Sequence, residues 1–300
     1  MDIIVDKLTK RFEDQIQLDN ISFKASRGKV FGILGPNGAK KTLLVRTIME
    51  ITKPDNGSIT FDGKPINGKI RDKIGYLPEK RGIFQKQKVI DVLVYFGRLK
   101  NLSTKKAQIE AIRLLDRYKM INSMEKSVGH LNKELQERLQ ILVTIVHNPE
   151  ILILDEPFED FHPLNQDLIR KLIYRYREEE KTIIISTHQF NEAEKLCDDI
   201  LFINNGRIVL KGNLDKLREK FQSHLILVEA DNNLNSLKGI KGLRKFFIEK
   251  QSAKLFVDYR LQPSEILQQI ISTVNVSRIE VSRPNLDDIF FDVINVKDWQ

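Results

Sequence analysis

The sequence lacks the features that would place the chain across a membrane or in an oxidising compartment. It contains one cysteine, Cys197, which excludes an internal disulfide and a thiolate metal cluster. Its longest apolar runs, such as residues 141–146, fall far short of the roughly 20 residues that a membrane helix needs. Residues 1–7 carry two acids, with no cationic start and no apolar h-region, which argues against a secretory signal. We therefore expect a cytoplasmic chain.

Acidic side chains are in the minority, since 49 lysines and arginines outnumber 41 aspartates and glutamates and give a formal net charge of +8. This excess is spread along the chain, so a solvated basic surface explains it most simply. A face for nucleic acid or for anionic lipid is the alternative. With 41% apolar and 30% charged residues, disorder and a fibrous protein are excluded, and one large core or two smaller ones can form.

Short apolar runs alternate with helical patterns over residues 1–220, which is typical of an α/β sheet. Two of the runs, 151–154 and 182–186, are continuously apolar, as in a parallel sheet covered on both faces. The helices predicted between about 85 and 148 form a helical subdomain that interrupts the sheet. The predicted strands are 30–34, 58–62, 73–77, 151–154 and 182–186, and the predicted helices are 41–50, 89–100, 105–119 and 133–147. Residues 192–196 and the strands 200–204 and 207–210 complete the unit.

The pattern changes after Gly212, where a helix at 214–221 leads into a second region. There we predict strand 224–229, a short helix 234–237, strands 244–249 and 253–259, helix 263–272 and strand 274–281. This β-α-β-β-α-β order is that of a ferredoxin-like domain. We therefore assign one α/β domain to residues 1–220 and a small ferredoxin-like α+β domain to 221–300, with a terminal helix at 287–293.

A phosphate-binding loop is predicted between the strand at 30–34 and the helix at 41–50. Its spacing is that of a P-loop, except that Lys40 replaces the second glycine of the motif. In such a loop, backbone N–H groups converge on phosphate oxygens, Lys41 reaches the β and γ phosphates, and the Thr42 hydroxyl holds Mg²⁺. A glycine-rich turn that merely starts a helix is the alternative. The loop consists of Gly35, Pro36, Asn37, Gly38, Ala39, Lys40, Lys41 and Thr42.

Further polar residues follow two of the apolar strands. Asp155 and Glu156 come directly after residues 151–154, and carboxyl ends of such strands face the ligand crevice of an α/β sheet. Asp155 can hold Mg²⁺ directly or through water, and Glu156 can take a proton from an attacking water. His188 follows the strand at 182–186 and is expected within reach of a γ phosphate. Taken alone, however, a histidine at a strand end is more often a surface residue.

The ordered segments GPNGAKKT, YLPE, LNKELQER, ILILDEP and STH resemble the ATP-binding subunits of ABC transporters over about residues 2–220. The basic excess and the small C-terminal domain resemble the ATPase subunits of ABC-2-type exporters. This resemblance implies a P-loop NTPase fold of ABC type, with ATP and Mg²⁺ as cofactors. It also implies membrane-spanning permease subunits and a second ATP-binding chain as partners, no nucleic acid, and a position on the inner face of the cell membrane.

By the same resemblance, residues 35–42 match the Walker A segment, Asp155 and Glu156 the Walker B pair, and His188 the switch histidine. Phe12 matches the aromatic that stacks on adenine, although such a residue alone would more often belong to the core or surface. Glu79 falls where most of the family has the Q-loop glutamine. As a carboxylate, it is a better ligand than an amide for a hard cation such as Mg²⁺.

Four further residues depart from the family pattern. Lys40 adds a long cationic side chain where the family has glycine, and its effect depends on the local φ angle. Asn132 and Glu134 replace a serine and a glycine of the signature segment, which lies against the γ phosphate of the partner subunit. A carboxylate there would cost up to about 4 kcal/mol at ~4 Å and an effective dielectric constant of 20. His162 stands where the family usually has aspartate in the loop after Walker B.

These departures lead us to expect weak hydrolysis by the isolated chain. A homodimer would combine Lys40 with a facing Glu134 at each site, so we favour one half of a heterodimer. The leading hypothesis is an ATP-hydrolysing motor subunit of a membrane exporter. The alternative is a degenerate regulatory subunit that binds ATP with little hydrolysis. A non-transport ABC protein acting on ribosomes or nucleic acid ranks last, because such proteins commonly carry two ATPase domains in one chain.

Overall fold

A computed structural model of the chain describes residues 1–13, 15–80, 82, 84–220, 223–230, 233–282, 285, 286, 288 and 289. The chain divides into two compact units, Met1–Asn213 and Leu214–Gln300. The sequence pattern predicts the division after residue 220, with the helix that follows Gly212 in the first domain. That helix, α8 (Leu214–Lys220), instead groups with the second unit.

Two sheets form the scaffold of the first unit. Their strands are β1 (Ile3–Phe12), β2 (Gln15–Ala25), β3 (Val30–Leu34), β4 (Asn56–Phe61), β5 (Lys64–Pro65), β6 (Ile74–Leu77), β7 (Ile151–Asp155), β8 (Thr182–Thr187), β9 (Asp199–Asn204) and β10 (Arg207–Asn213). The four-stranded sheet has the order β2-β1-β4-β5, and the six-stranded sheet has the order β10-β9-β3-β8-β7-β6. One cluster of buried side chains joins both sheets, so they share a core.

The six-stranded sheet places the ends of its strands side by side. Strands β3, β7 and β8 are buried along their whole length, and β6, β7, β8, β3 and β9 run parallel. In this register Leu34 pairs with Thr187, and Asp155 pairs with Ser186. The segments that follow β3, β6, β7 and β8 therefore leave from one edge of the sheet.

The helices of the first unit are α1 (Lys41–Ile48), α2 (Gly68–Arg71), α3 (Val89–Leu99), α4 (Thr104–Arg117), α5 (Lys133–Ile145), α6 (Pro163–Glu178) and α7 (Phe190–Leu196). The predicted helices at 41–50, 89–100, 105–119 and 133–147 are confirmed as α1, α3, α4 and α5, each with slightly different ends. No prediction had been made for α6. Within the described residues, no helix is long and apolar enough to cross a bilayer.

The second unit contains the predicted β-α-β-β-α-β succession. Its elements after α8 are β11 (Ser223–Ala230), a 3₁₀ helix (Leu234–Gly239), β12 (Leu243–Glu249), β13 (Ser252–Asp258), α9 (Pro263–Thr273) and β14 (Val276–Ser282). The sheet order β12-β13-β11-β14, antiparallel throughout, is that of a ferredoxin-like domain. The element predicted as a short helix at 234–237 is this 3₁₀ helix. Apart from residues 288 and 289, the helix predicted at 287–293 lies outside the described residues.

His147, just beyond the end of α5, makes the stability of the fold depend on pH. Burial, reinforced by the charge of Lys100, lowers the pKa of His147 to about 4. Its Nε2 contacts the carbonyl oxygen of Ile74 at 3.1 Å, and its Nδ1 has no hydrogen-bond partner among the described residues. The imidazole is therefore held in its neutral form, with Nε2 donating.

We expect the fold to lose about 2 kcal/mol of stability between pH 7 and pH 5, because the unfolded chain protonates His147 near its ordinary pKa while the folded chain does not. His147→Gln keeps an N–H donor but does not titrate, so urea midpoints should depend less on pH. His130→Gln, at an exposed histidine, is the matched control. An equal pH dependence in the two variants would contradict this assignment.

Candidate active site

The loop between β3 and α1 has a backbone that requires small residues at two points. A Cβ atom on Gly35 would lie 2.2 Å from the carbonyl oxygen of Ile203, so no larger residue fits there. Gly38 has a φ of 83°, in the left-handed region that favours glycine. The chain then turns into α1 through Lys40, whose φ of 79° is also left-handed. The backbone at residue 40 thus keeps the conformation of a glycine although a lysine occupies it.

Replacing Lys40 by glycine should therefore stabilise the fold. A left-handed conformation costs a side-chain-bearing residue about 1 kcal/mol more than it costs glycine. Because the Lys40 side chain is exposed, little packing is lost with it. Urea unfolding of Lys40→Gly should show a gain of about 1 kcal/mol. Lys53→Gly removes a similar charge at a residue without a positive φ and should not stabilise; an equal gain there would count against the explanation.

Lys41 is the most enclosed cation of the loop. Its Nζ donates to the carbonyl oxygens of Gly35 at 2.8 Å and Pro36 at 3.0 Å, and it lies 3.0 Å from Glu156 Oε1. The side chains of this ion pair are only 5% and 4% exposed. Both charges are therefore largely removed from water, and each offsets the desolvation cost of the other.

Thr42, Glu79 and Asp155 form a group of oxygen donors beside this ion pair. The Thr42 hydroxyl lies 2.8 Å from Glu79 Oε2 and 3.3 Å from Asp155 Oδ1. Ser186 donates to Asp155 Oδ1, and the Tyr76 hydroxyl lies 3.5 Å from Oδ2. Burial raises the pKa of Asp155, the charges of Glu79 and Glu156 raise it further, and the bonds from Ser186 and Thr42 oppose the rise. A site with this excess of negative charge suits a hard cation.

Tyr76 was not identified from the sequence. Burial, together with the charge of Asp155, raises the pKa of its hydroxyl to about 12. It is therefore a neutral donor at physiological pH, on the strand that leads to Glu79. Only its place in the segment YLPE could have pointed to it.

Glu156 lies where β7 ends, and its backbone is held by the next strand. Its N–H donates to the carbonyl oxygen of Ser186 at 3.0 Å, while its φ of 46° turns the chain away from the sheet. One carboxylate oxygen pairs with Lys41, and the other accepts the His188 backbone N–H at 3.3 Å and contacts His188 Nδ1 at 3.0 Å. A carboxylate, an imidazole and an ammonium group are thus in direct contact.

A cavity of about 470 Å³ opens beside these residues. Phe12, predicted to stack on a base, lies on its wall with half of its surface exposed. Gly35 and Pro36 contribute carbonyl oxygens to Lys41, as described above. The remaining wall includes four residues for which no role was predicted, Leu43, Arg46, Thr52 and Glu159. The other predicted residues on the wall are Asn37, Gly38, Ala39, Lys40, Lys41, Thr42, Glu79 and Glu156.

Asn132 and Glu134 do not line this cavity. The Asn132 side chain caps α5 by accepting the N–H of Leu135 at 2.9 Å. Glu134 Oε1 lies 2.6 Å from Arg138 Nη2, one turn further along the helix. This ion pair offsets the negative charge on which the expected repulsion of a phosphate was based.

His162 has a local structural role. Its Nδ1 accepts the N–H of Leu164 at 3.3 Å at the start of α6, and its own N–H donates to Glu137 Oε2 at 2.8 Å. In this chain the histidine thus caps a helix, as an aspartate can do.

Two family profiles match this chain. The sequence profile of the ABC transporter family matches residues 18–159, and that of the C-terminal domain of DrrA1-3-like ATP-binding proteins matches residues 212–294. The uncharacterized ABC transporter ATP-binding protein YhaQ of Bacillus subtilis is 31% identical over 97% of this chain and 98% of its own length. Nod factor export ATP-binding protein I of Rhizobium sp. strain N33 is 29% identical over 94% of this chain and 93% of its own.

Solved structures share the fold of the first unit. CbiO1 of Clostridium perfringens, part of the ABC transporter complex CbiONQ, superposes with a TM-score of 0.62 at 28% identity, over 73% of this chain and 94% of its own. An ATP-binding subunit of an ABC transporter superposes with a TM-score of 0.68 at 24% identity, over 74% and 93%. This chain therefore belongs to the ATP-binding proteins of ABC transporters. The predicted resemblance is confirmed, and with it ATP binding and association with membrane permease subunits as family properties.

Proposed function

We propose that this chain is the ATP-hydrolysing motor subunit of a membrane exporter and that it acts in the cavity beside Lys41. The observation that carries the proposal is the contact between Lys41, Glu156 and His188 next to the oxygen donors Thr42 and Asp155. An ammonium group can bind the phosphates, a carboxylate can accept a proton from water, and an imidazole can stabilise charge during phosphoryl transfer to water.

The ion pair explains how phosphate binding and the base are coupled. Triphosphate brings more negative charge than the single carboxylate of Glu156, so the Lys41 ammonium moves its interaction to the phosphates. Glu156 then loses the partner on Oε1, and that oxygen becomes available to accept a proton from water. His188 stays within reach of Oε2 and can orient the carboxylate or stabilise the γ phosphate.

Thr42, Glu79 and Asp155 would hold Mg²⁺, because all three offer oxygen atoms in a region with excess negative charge. The bound cation supplies positive charge that neutralises the phosphates. With Mg²⁺ bound, the Thr42 hydroxyl would no longer donate to Glu79, and the Tyr76 and Ser186 hydroxyls would keep Asp155 in place.

Calorimetric titration with Mg-ATP tests the binding step. We expect saturable heat and a raised melting temperature, since ATP binds the folded chain. Phe12→Ala should weaken binding about fivefold or more, because stacking on a base contributes ~1–3 kcal/mol. Phe84→Ala is the matched control, since Phe84 is 52% exposed against 50% for Phe12 and does not line the cavity. Absence of heat and of stabilisation at millimolar Mg-ATP would refute the proposal.

Export as the direction of transport is supported by the relatives. One is named for Nod factor export, and the C-terminal unit matches the DrrA-like domain.

We infer a place on the inner face of the membrane, held by permease subunits. Tagged chain expressed in its own cells should sediment with membranes and be released at high pH without detergent. Complete recovery in the supernatant at physiological salt would argue against this location.

A second ATP-binding chain is proposed as partner, with slow hydrolysis by this chain alone. Asn132→Ser combined with Glu134→Gly should raise phosphate release about tenfold, which corresponds to ~1.4 kcal/mol of barrier. The reason is that Glu134 remains 27% exposed at its helix start despite its pairing with Arg138. Phosphate release is measured at saturating Mg-ATP, with Glu125→Gly as the control on another exposed acid. An unchanged rate would favour the regulatory alternative or a requirement for the partner chain.

A further inference from the structure

Glu156, Glu159 and His188 form a compact set of metal-ligating groups. One ligand atom from each lies within 4.8 Å of the others, and among the described residues no other three histidine, cysteine or acidic side chains meet in this way. Glu156 is buried, whereas Glu159 and His188 are partly exposed. The set is therefore anchored on one side and open to solvent on the other.

Local backbone geometry brings Glu159 to the other two residues. The positive φ of Glu156 turns the chain out of β7, and the Glu159 N–H closes the turn on the carbonyl oxygen of Glu156 at 3.3 Å. His188 arrives from the end of the neighbouring strand β8. Two separate segments, which follow the neighbouring strands β7 and β8, thus supply the three groups.

The donor chemistry distinguishes this set from the magnesium ligands. Thr42, Glu79 and Asp155 offer oxygen only, which suits Mg²⁺. One imidazole with two carboxylates suits zinc and other first-row transition metals, which bind mixed histidine and carboxylate sets and leave room for water. Imidazole nitrogen adds little for Mg²⁺, so the set should discriminate between the two classes of cation.

We propose that Glu156, Glu159 and His188 bind a transition-metal ion of the Zn²⁺ class when no nucleotide is present. The metal ligand from Glu156 would be Oε2, the oxygen that His188 contacts. The Lys41 ammonium pairs with the other oxygen, Oε1. Binding replaces the contact between His188 and Oε2. The bound ion would also stop ATP hydrolysis, a consequence that rests on the proposed roles of Glu156 and His188.

Metal titration of the full chain without nucleotide tests the site. Added Co²⁺ should produce d–d absorption that saturates at one equivalent, and added Zn²⁺ should displace the Co²⁺. The Zn²⁺ affinity is measured by competition between the protein and a chromophoric chelator. Millimolar Mg²⁺ should not reverse the binding. Because ATP is absent from this titration, a failure to bind metal would not argue against the proposed ATPase function. Conversely, a failure to bind Mg-ATP would not argue against the metal site.

Glu159→Gln should lower the Zn²⁺ affinity at least about tenfold, because even partners that only orient a ligand change affinity by that much. His188→Ala should lower it further. Asp160→Asn, at the next residue and outside the set, is the matched control and should leave the affinity unchanged. Circular dichroism verifies that each variant is folded. Absence of Co²⁺ absorption, or equal affinity in Glu159→Gln and Asp160→Asn, would overturn the proposal.

Discussion

Glu156→Gln is expected to reduce phosphate release by about a thousandfold, in line with the contribution of a positioned general base. Glutamine has nearly the shape of glutamate but cannot take a proton from water. Binding of Mg-ATP should persist or tighten, because the amide competes less well than the carboxylate for the Lys41 ammonium. The two effects together distinguish loss of the base from loss of the site.

Phosphate release and calorimetric Mg-ATP affinity should be measured on the same preparations, free of other ATPases. Glu150→Gln is the matched control, because this acid precedes the opposite end of the same strand and its side chain is 47% exposed. Near wild-type turnover in Glu156→Gln would mean that the base lies elsewhere or that positioning alone drives the reaction.

Much of the site's placement could be predicted because it follows from strand direction. The apolar runs at 30–34, 151–154 and 182–186 correspond to β3, β7 and β8, and buried parallel strands put their carboxyl ends on one edge. The P-loop, Asp155 and His188 follow these strands directly. Their proximity therefore needs no knowledge of side-chain contacts.

The elements without a prediction have weaker local signals. In β1, the exposed residue between buried Ile3 and Val5 is the apolar Ile4, and a register shift between Val5 and Leu8 breaks the two-residue period. Helix α6 buries residues 165, 169, 172, 173 and 176 at helical spacing, but polar and charged residues make up half of its length. Both elements gain their stability from the surfaces against which they pack, which a single sequence does not display.

Contacts between individual side chains of the site cannot be predicted from the sequence. The motif indicated that Lys41 and Glu156 matter, but not that they form a buried ion pair. Likewise, the substitution at residue 40 was visible, whereas its left-handed φ depends on how the loop meets α1. Glu159 reaches the site through a turn set by the φ of Glu156, so its position emerges only from the folded backbone.

The ion pair between Lys41 and Glu156 leads to the largest expected change in stability. Lys41→Met leaves the Glu156 carboxylate buried without its cation, and breaking a buried pair costs about 3–5 kcal/mol. His188 still contacts Oε2, so we expect about 3 kcal/mol. The same variant should lose measurable Mg-ATP binding, since the phosphates lose their main cation.

A double-mutant cycle separates the ion pair from the packing of the two side chains. Lys41→Met with Glu156→Gln removes both charges and should recover most of the stability lost in Lys41→Met. Because the chain has two compact units, stability is measured by hydrogen exchange of the β7 amides, which reports the unfolding free energy of the first unit alone. Strict additivity of the two substitutions would show that the charges do not stabilise each other. A recovered double variant would show that the buried carboxylate depends on Lys41 until phosphate takes its place.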